Sequence, residues 1–521
     1  MHLKENYDYI IIGSGFGGSV SALRLAEKGY SVLVIEKGKW YRGDEFPKTN
    51  WNVRKWLWLP SLRLFGILKL TFFRHVSVLS GVGVGGGSLV YANTLPKPKS
   101  KFFNHGSWAN LADWEKELTP FYETAWEMLG ASENPLLDEA DFAMQELAKS
   151  IGKAKEFSPT KVAIYFGEKG KTVDDPYFKG KGPNRTGCTG CGACMTGCRY
   201  NAKNTLDKNY LHLAQQLGVT ILAESQVLNV LPIGNNDGSK GYSVSFKNPT
   251  KWFSKTKTIN SRGIVFSGGV LGTIPLLLKL KETTLPCLSK KVGNEIRTNN
   301  EALILNVTLD KEKDLSKGIA IGSIIDLDEN SHLEPVKYGE GSGFWRLVMM
   351  PMVSEKNFFL RIIKLFLIPL SAPIKWFKII FVDDFAKRTS VLLFMQNLDS
   401  TLKFKLGLFG MGSKVSSGKP PSAFIAEAHN IANKHAKLTN SKSVVMLTET
   451  LTGIPSTAHI LGGAVMGKDA TEGVIDKDNK VFGYKNMYVI DGSMISANPG
   501  VNPSLSITAI AERAMSKVKG K

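Results

Sequence analysis

"YDYIIIGSGFGGSVSALRLAEKGYSVLVIEKG", Tyr7 to Gly38, is the stretch on which the fold class turns. Tyr9–Ile12 reads as a buried strand, because its apolar residues run on without alternation. Gly13, Gly15 and Gly18 follow at G-x-G-x-x-G spacing, a helix is predicted to about Lys28, and a second strand over Ser31–Ile35 ends at Glu36. Gly13 permits the tight turn, Gly15 lets the backbone approach a pyrophosphate, and Gly18 lets helix and strand pack closely. The phosphates would sit on the helix N-terminus. Glu36 lies about twenty residues beyond the glycines, where a carboxylate accepts bonds from a ribose hydroxyl. A dinucleotide is expected, with FAD and NAD both open at this point.

The other 489 of the 521 residues are too many for one ordinary core, so two or more packed units are expected. Four of the five cysteines lie within Gly187–Cys198, which offers no disulfide framework and fits a reducing compartment. Only six residues precede Tyr7, leaving no room for a leader, so folding is expected to start in the cytosol. A net charge of +20 raises the question of nucleic acid, but the lysines are scattered and no helix-turn-helix, zinc-finger or RNA-binding signature accompanies them. Nucleic acid is not an expected partner. The basic residues mix with large apolar ones in two places, Trp51–His75 and Phe358–Phe381. Charges and prolines interrupt the second well before about 20 apolar residues accumulate, so it is no membrane span. Neither stretch reads as a span, and both read either as segments lying in the headgroup layer or as a wall over a buried pocket.

"GCTGCGACMTGC" sets Cys188, Cys191, Cys194 and Cys198 at C-x2-C-x2-C-x3-C spacing. This is the ferredoxin pattern, yet Arg199 stands where a ferredoxin has proline, and Cys287 is the sole remote cysteine. An iron–sulfur cluster, a zinc site and a glycine-rich connector of plain thiols are the three readings.

Farther stretches add a resemblance. "GVGVGGGSLVYANTLPKP" (Gly81–Pro98), "AESQVLNVL" around Val227, "GIVFSGGVLGTIPLLLK" (Gly263–Lys279) and the tail from Ala458 to Ala514 resemble the GMC (glucose–methanol–choline) family of FAD oxidoreductases, in particular its cholesterol oxidase branch. The matches cover about half of the chain.

The resemblance implies FAD as cofactor, with Gly83, Gly85, Gly86, Gly87 and Ser88 along it and Val227 by the adenine. It also implies Gly268 near the flavin nucleotide and Asp491-Gly492 by the pyrophosphate or ribityl chain. His459 and Asn502 would be the catalytic pair, and Pro503 would open a helix aimed at the flavin. The implied substrate is a bulky apolar alcohol, a 3-hydroxysteroid first and a long-chain fatty alcohol second. The electron acceptor would be oxygen, a quinone or a redox protein. A flavin–iron–sulfur electron carrier is the reading from another class. A reductase or desaturase of membrane terpenoids would not require the His459–Asn502 pair.

Two places depart from the pattern. Tyr91 stands at the family's post-loop asparagine, and Lys387 and Arg388 stand where the glutamate that moves a steroid double bond is sought. The expected architecture is α/β. A doubly wound, Rossmann-like FAD-binding domain comes from 1–95, 195–310 and 441–521, and a sheet-containing (α+β) substrate domain from 100–194 and 311–440. The expected location is the cytoplasm, with peripheral contact at the inner face of the membrane.

Overall fold

β1 (Asn6–Ile12), α1 (Phe16–Glu27) and β2 (Val32–Ile35) form the predicted unit, the strands parallel with Tyr9 opposite Val32. The structure is a computed structural model and describes residues 3–398, 400–407 and 410–521. Gly13 leaves β1 and Glu36 leaves β2 side by side, because register-matched parallel strands end at one edge. That edge is where doubly wound sheets bind ligands.

The sheet continues with β3 (Thr220–Leu222), β4 (Gln226–Pro232), β5 (Tyr242–Lys247) and β6 (Lys257–Phe266), in the order β3-β2-β1-β6-β5-β4. β6 holds the layer together. Its first half pairs antiparallel with β5, and its second half pairs parallel with the late strand Met487–Val489. A glycine turn then leads into α2 (Val270–Lys281).

A second, seven-stranded sheet is antiparallel throughout. It contains β7 (Ala302–Thr308), β8 (Ser323–Asp326), β9 (Ser331–Val336), β10 (Met349–Pro351), β11 (Thr389–Gln396) and β12 (Ser441–Met446), in the order β10-β12-β7-β11-β9-β8 with Phe157–Pro159 at the edge. The boundaries expected at 310 and 441 therefore need correction. β7 and β12 fall inside stretches assigned to the FAD unit, yet they hydrogen-bond to each other in this roof sheet, Leu305 opposite Val444.

Between β10 and β11 the chain forms a helical hairpin, α3 (Phe358–Ser371) and α4 (Pro373–Ile380). The last helix, α5 (Ser504–Ser516), is buried from Leu505 to Met515 and packs against α1 and the helix Trp114–Met128. No helix among the described residues is long and apolar enough to cross a membrane.

Candidate active site

A cavity of about 640 Å³ separates the two sheets. Three helices begin on it, and none has a side chain capping its first turn: α1 at Gly15, α2 at Gly269 and α5 at Pro503. Each leaves backbone N–H groups and the positive end of a helix dipole turned to the cavity. Such convergence suits an anionic ligand, here a pyrophosphate and a flavin ring that gains negative charge on reduction.

The glycines divide by role. Gly13, Gly15, Gly86, Gly87, Gly268 and Gly492 line the cavity, as do Glu36, Val227, Asp491, Asn502 and Pro503. A Cβ on Gly15 would meet nothing within 4 Å and would project into ligand space. A Cβ on Gly86 (φ +54°) would lie 2.7 Å from the Gly15 Cα, so the two glycine loops touch backbone to backbone. Gly18 does not face the cavity; a Cβ there would lie 2.2 Å from the Gly13 carbonyl oxygen, the close helix–strand contact expected of it. Gly83, Gly85 and Ser88 sit behind the lining. Ser88 Oγ donates to the Gly85 carbonyl and accepts from the Leu206 N–H, so these three shape the loop rather than contact a ligand. Pro503 caps α5 one residue before its first turn, instead of opening it.

The polar groups left over fit FAD. Glu36 accepts from the Ser14 N–H and hydroxyl at one oxygen and from the Gly38 N–H at the other. A carboxylate has about four acceptor positions, so one remains for a ribose hydroxyl. Asp491 is taken up by the protein: it accepts from the Gly269 N–H (2.8 Å), Thr273 Oγ1 (2.5 Å) and the Ser493 N–H (2.7 Å), fixing α2 to the cavity floor. Asn93 lines the cavity with both side-chain amide atoms buried and unpartnered, and Asn502 Oδ1 is likewise free among the described residues. Buried polar atoms without partners mark a place for a ligand. Asn93, two residues beyond Tyr91, is a site residue that the sequence reading missed. Tyr91 lines the cavity with its hydroxyl donated to the Asn204 carbonyl (2.9 Å).

His459 and Glu301 also line the cavity. His459 Nδ1 is 2.8 Å from Glu301 Oε1, and Glu301 is fixed in turn by the Thr457 hydroxyl (2.7 Å) and the Ala458 N–H (3.1 Å). Burial alone would lower the imidazole's pKa; the Glu301 carboxylate outweighs it and raises the value above the ordinary histidine range. Burial likewise works against the Glu301 carboxylate, and the His459 charge overrides it to hold the carboxyl below its ordinary value. With Nδ1–H donated to Glu301, Nε2 is the free nitrogen, and Asn502 lines the same cavity. Glu334 on β9 is fully buried and is not among the residues that line the cavity; burial pushes its carboxyl up to about 8 despite the nearby imidazole and the Asn502 amide. Glu334 was missed in the sequence because it was sought one strand away. Lys387 and Arg388 instead pair with Glu340 (2.5 Å) and Asp383 (2.8 Å) outside the cavity.

Comparison with known proteins agrees with this geometry. The profile described as GMC oxidoreductase matches residues 178–280 and 421–511, and a profile for an NAD(P)-binding Rossmann-like domain matches residues 11–43. A cholesterol oxidase of Acinetobacter baumannii is 43% identical over 99% of this chain and 95% of its own length. One of Mycobacterium tuberculosis is 41% identical over 99% and 91%. The chain belongs to the GMC oxidoreductase family. Within it, the chain falls in the cholesterol oxidase-like branch and is an FAD-dependent alcohol oxidoreductase. A long-chain-alcohol oxidase of Arabidopsis thaliana is more distant, at 24% identity over 98% of this chain and 67% of its own. The solved pyridoxine 4-oxidase from Mesorbium loti superposes with a TM-score of 0.62 over 98% of both chains at 15% identity, a likeness of fold.

The GMC assignment leaves the cysteines to be explained, and here the iron–sulfur and zinc readings find no support. Among the described residues no three or more His, Cys, Asp or Glu side chains form a group that could hold a metal ion. Cys188, Cys191, Cys194 and Cys198 border one apolar cavity of about 20 Å³, room for about one water and not for a cluster. Burial pushes the Cys188 thiol up to about 12 and raises Cys194 as well. Cys188, Cys194 and Cys198 pack against Val162, Ile164, Ala202 and Ile319. Buried Lys203 clasps this connector to the glycine-rich loop, donating to the carbonyls of Leu89, Tyr91 and Cys194.

Proposed function

We propose that this enzyme oxidises the 3-hydroxyl of a sterol to a ketone. The observation that carries the reading is the apolar roof above the catalytic pair. Alternate residues of β7 (Leu303, Leu305) and β11 (Val391, Leu393) turn down into the cavity, joined by Trp345 and Met446. Alternation along adjacent strands makes a continuous apolar ceiling, suited to a rigid hydrocarbon with one polar end. FAD held along the groove supplies the hydride acceptor. His459 Nε2 receives the hydroxyl proton, Glu301 stabilises the imidazolium that results, and Asn502 orients the alcohol oxygen. Oxygen is the acceptor in this reading, with a quinone or redox protein as the alternative. Peripheral contact with a membrane, the inner face for a cytoplasmic enzyme, belongs to it because sterols reside in bilayers.

Anaerobic bleaching of the flavin by a panel of sterols and long-chain alcohols tests the substrate class. Rapid bleaching by sterols and slow bleaching by fatty alcohols is expected; the reverse order would move the assignment to fatty alcohols. His459→Ala should keep its yellow FAD and bleach at least about a hundredfold more slowly, the scale of acid–base catalysis.

Glu334 supports a second step on the same sterol. A carboxyl poised near neutrality beside His459 and Asn502 can take a proton from one carbon and return it to another, moving a double bond into conjugation with the new ketone. Glu334→Gln should still reduce the flavin but release the unconjugated ketone, visible as lost ultraviolet absorbance of the enone. A conjugated product from that variant would remove Glu334 from the step.

A further inference from the structure

The hairpin α3–α4 buries little of its apolar surface. Phe359, Ile363, Phe366, Leu367 and Leu370 follow one another at helical spacing along α3 and are 53–75% exposed. Ile374, Phe377 and Ile380 extend the same exposed surface on α4 at 53–73%. So large a contiguous apolar face marks an interaction site on a soluble chain.

We infer that this hairpin docks on an anionic lipid bilayer, lying in the headgroup layer. Its charge selects the occupant. Phe358–Phe381 contains one arginine and three lysines and no acidic residue; Lys378 and Lys364 stand exposed among the apolar side chains, Lys364 paired with Glu355 at 2.9 Å beyond the hairpin. A second copy joined by a two-fold axis would set these lysines against each other, whereas anionic headgroups match them. Arg361 is the exception. It is buried and donates to the carbonyls of Glu355, Lys356 and Leu451, which anchors the hairpin to the body. At about 1.5 Å per residue, the 14-residue α3 and the 8-residue α4 are too short to span a bilayer, but they have the composition of interfacial helices.

The inner face ties the surface to the chemistry. Trp376 and Ile379 pack in one apolar cluster with Leu68, Leu305, Trp345 and Met446, and those four also line the cavity. Docking would thus set the apolar end of the cavity one side-chain layer from the bilayer. That clause rests on the sterol reading; the docking itself does not.

Flotation of the full-length, FAD-loaded enzyme with vesicles of phosphatidylcholine mixed with phosphatidylglycerol tests it. The wild type should float at low salt and be released as salt rises. Lys364→Ala with Lys378→Ala should weaken binding by about thirtyfold, the effect of two lysines at a charged surface. Phe366→Ser with Leu370→Ser and Phe377→Ser should weaken it at least about a hundredfold and leave turnover of detergent-solubilised substrate unchanged. Should the triple variant fold poorly, hydrogen exchange on the wild type decides: amides of 358–381 should be protected by the anionic vesicles. A wild type that stays at the bottom of the gradient would overturn the inference. So would a folded triple variant that floats equally well, an unprotected hairpin, or a dimer that the triple substitution converts to a monomer. Because flotation reads no turnover, failure of the sterol assignment would leave its result intact.

Discussion

Buried alone, the His459 imidazole would be a weaker base than free histidine; the Glu301 carboxylate at 2.8 Å reverses this. The sign follows from both partners. The raised His459 value makes the pair's stabilisation fully present below pH 6.5 and lost as pH rises through the folded value. The lowered Glu301 value makes it present above pH 4.5 and lost as pH falls through that carboxyl's folded value. For catalysis the neutral imidazole is the useful form, so kcat/KM should rise with pH through the His459 value, above 6.5. Glu301→Gln leaves only the weaker pull of Glu334 against burial, and the rising limb should move to lower pH while the plateau falls. A pH profile on solubilised sterol measures both, and a limb that stays in place would show that Glu301 does not set the imidazole's basicity. A merely structural glutamate would lower the plateau without moving the limb.

Two glycines of one turn have opposite reasons to be glycine, and elements report them differently. Gly18 lies where α1 meets β1, with 2.2 Å between an added Cβ and the Gly13 carbonyl. Gly18→Ala should force helix and strand apart and cost about 1–3 kcal/mol of stability, as overpacking does. Gly15→Ala adds a methyl that meets no protein atom within 4 Å. The variant should unfold like the wild type when stripped of FAD, and bind FAD more weakly. Paired melting curves with and without FAD separate the two, and equal losses from both glycines would contradict this division of labour.

Across the whole molecule, the roof sheet is tied to the segment before it by a buried ion cluster. Lys337, just past β9, donates to Asp138 and lies 3.4 Å from Asp141, at the start of the helix Glu139–Ser150. Burial pushes the Asp138 carboxyl up to about 7 even with the ammonium beside it. Lys337→Met would leave two buried carboxyls without their cation, at a cost of about 3–5 kcal/mol. The loss should appear as a lower Tm with the flavin site still formed. An unchanged Tm would mean the cluster adds nothing net.

The dinucleotide unit was legible in Tyr7–Gly38 because its determinants are local: a strand period, three glycines at fixed spacing and a carboxylate at a fixed offset all lie within 32 residues. The tail carried His459 and Asn502 for the same reason, each inside a short motif. Glu301, Glu334 and Asn93 were not legible. Each acts through a partner or cavity brought to it by sheet pairing, Glu301 across 158 residues of chain, and a lone carboxylate or amide has no local pattern. Strand register also moved β7 and β12 into the roof, since hydrogen bonds between distant strands leave no mark on either one. The cysteine run misled in the other direction. Its spacing was a local signal for a metal, but whether thiols become ligands depends on the space between them and on what surrounds it. Here the cysteines border a one-water gap closed by apolar side chains and form no metal-holding group among the described residues, so the spacing finds no support in the fold.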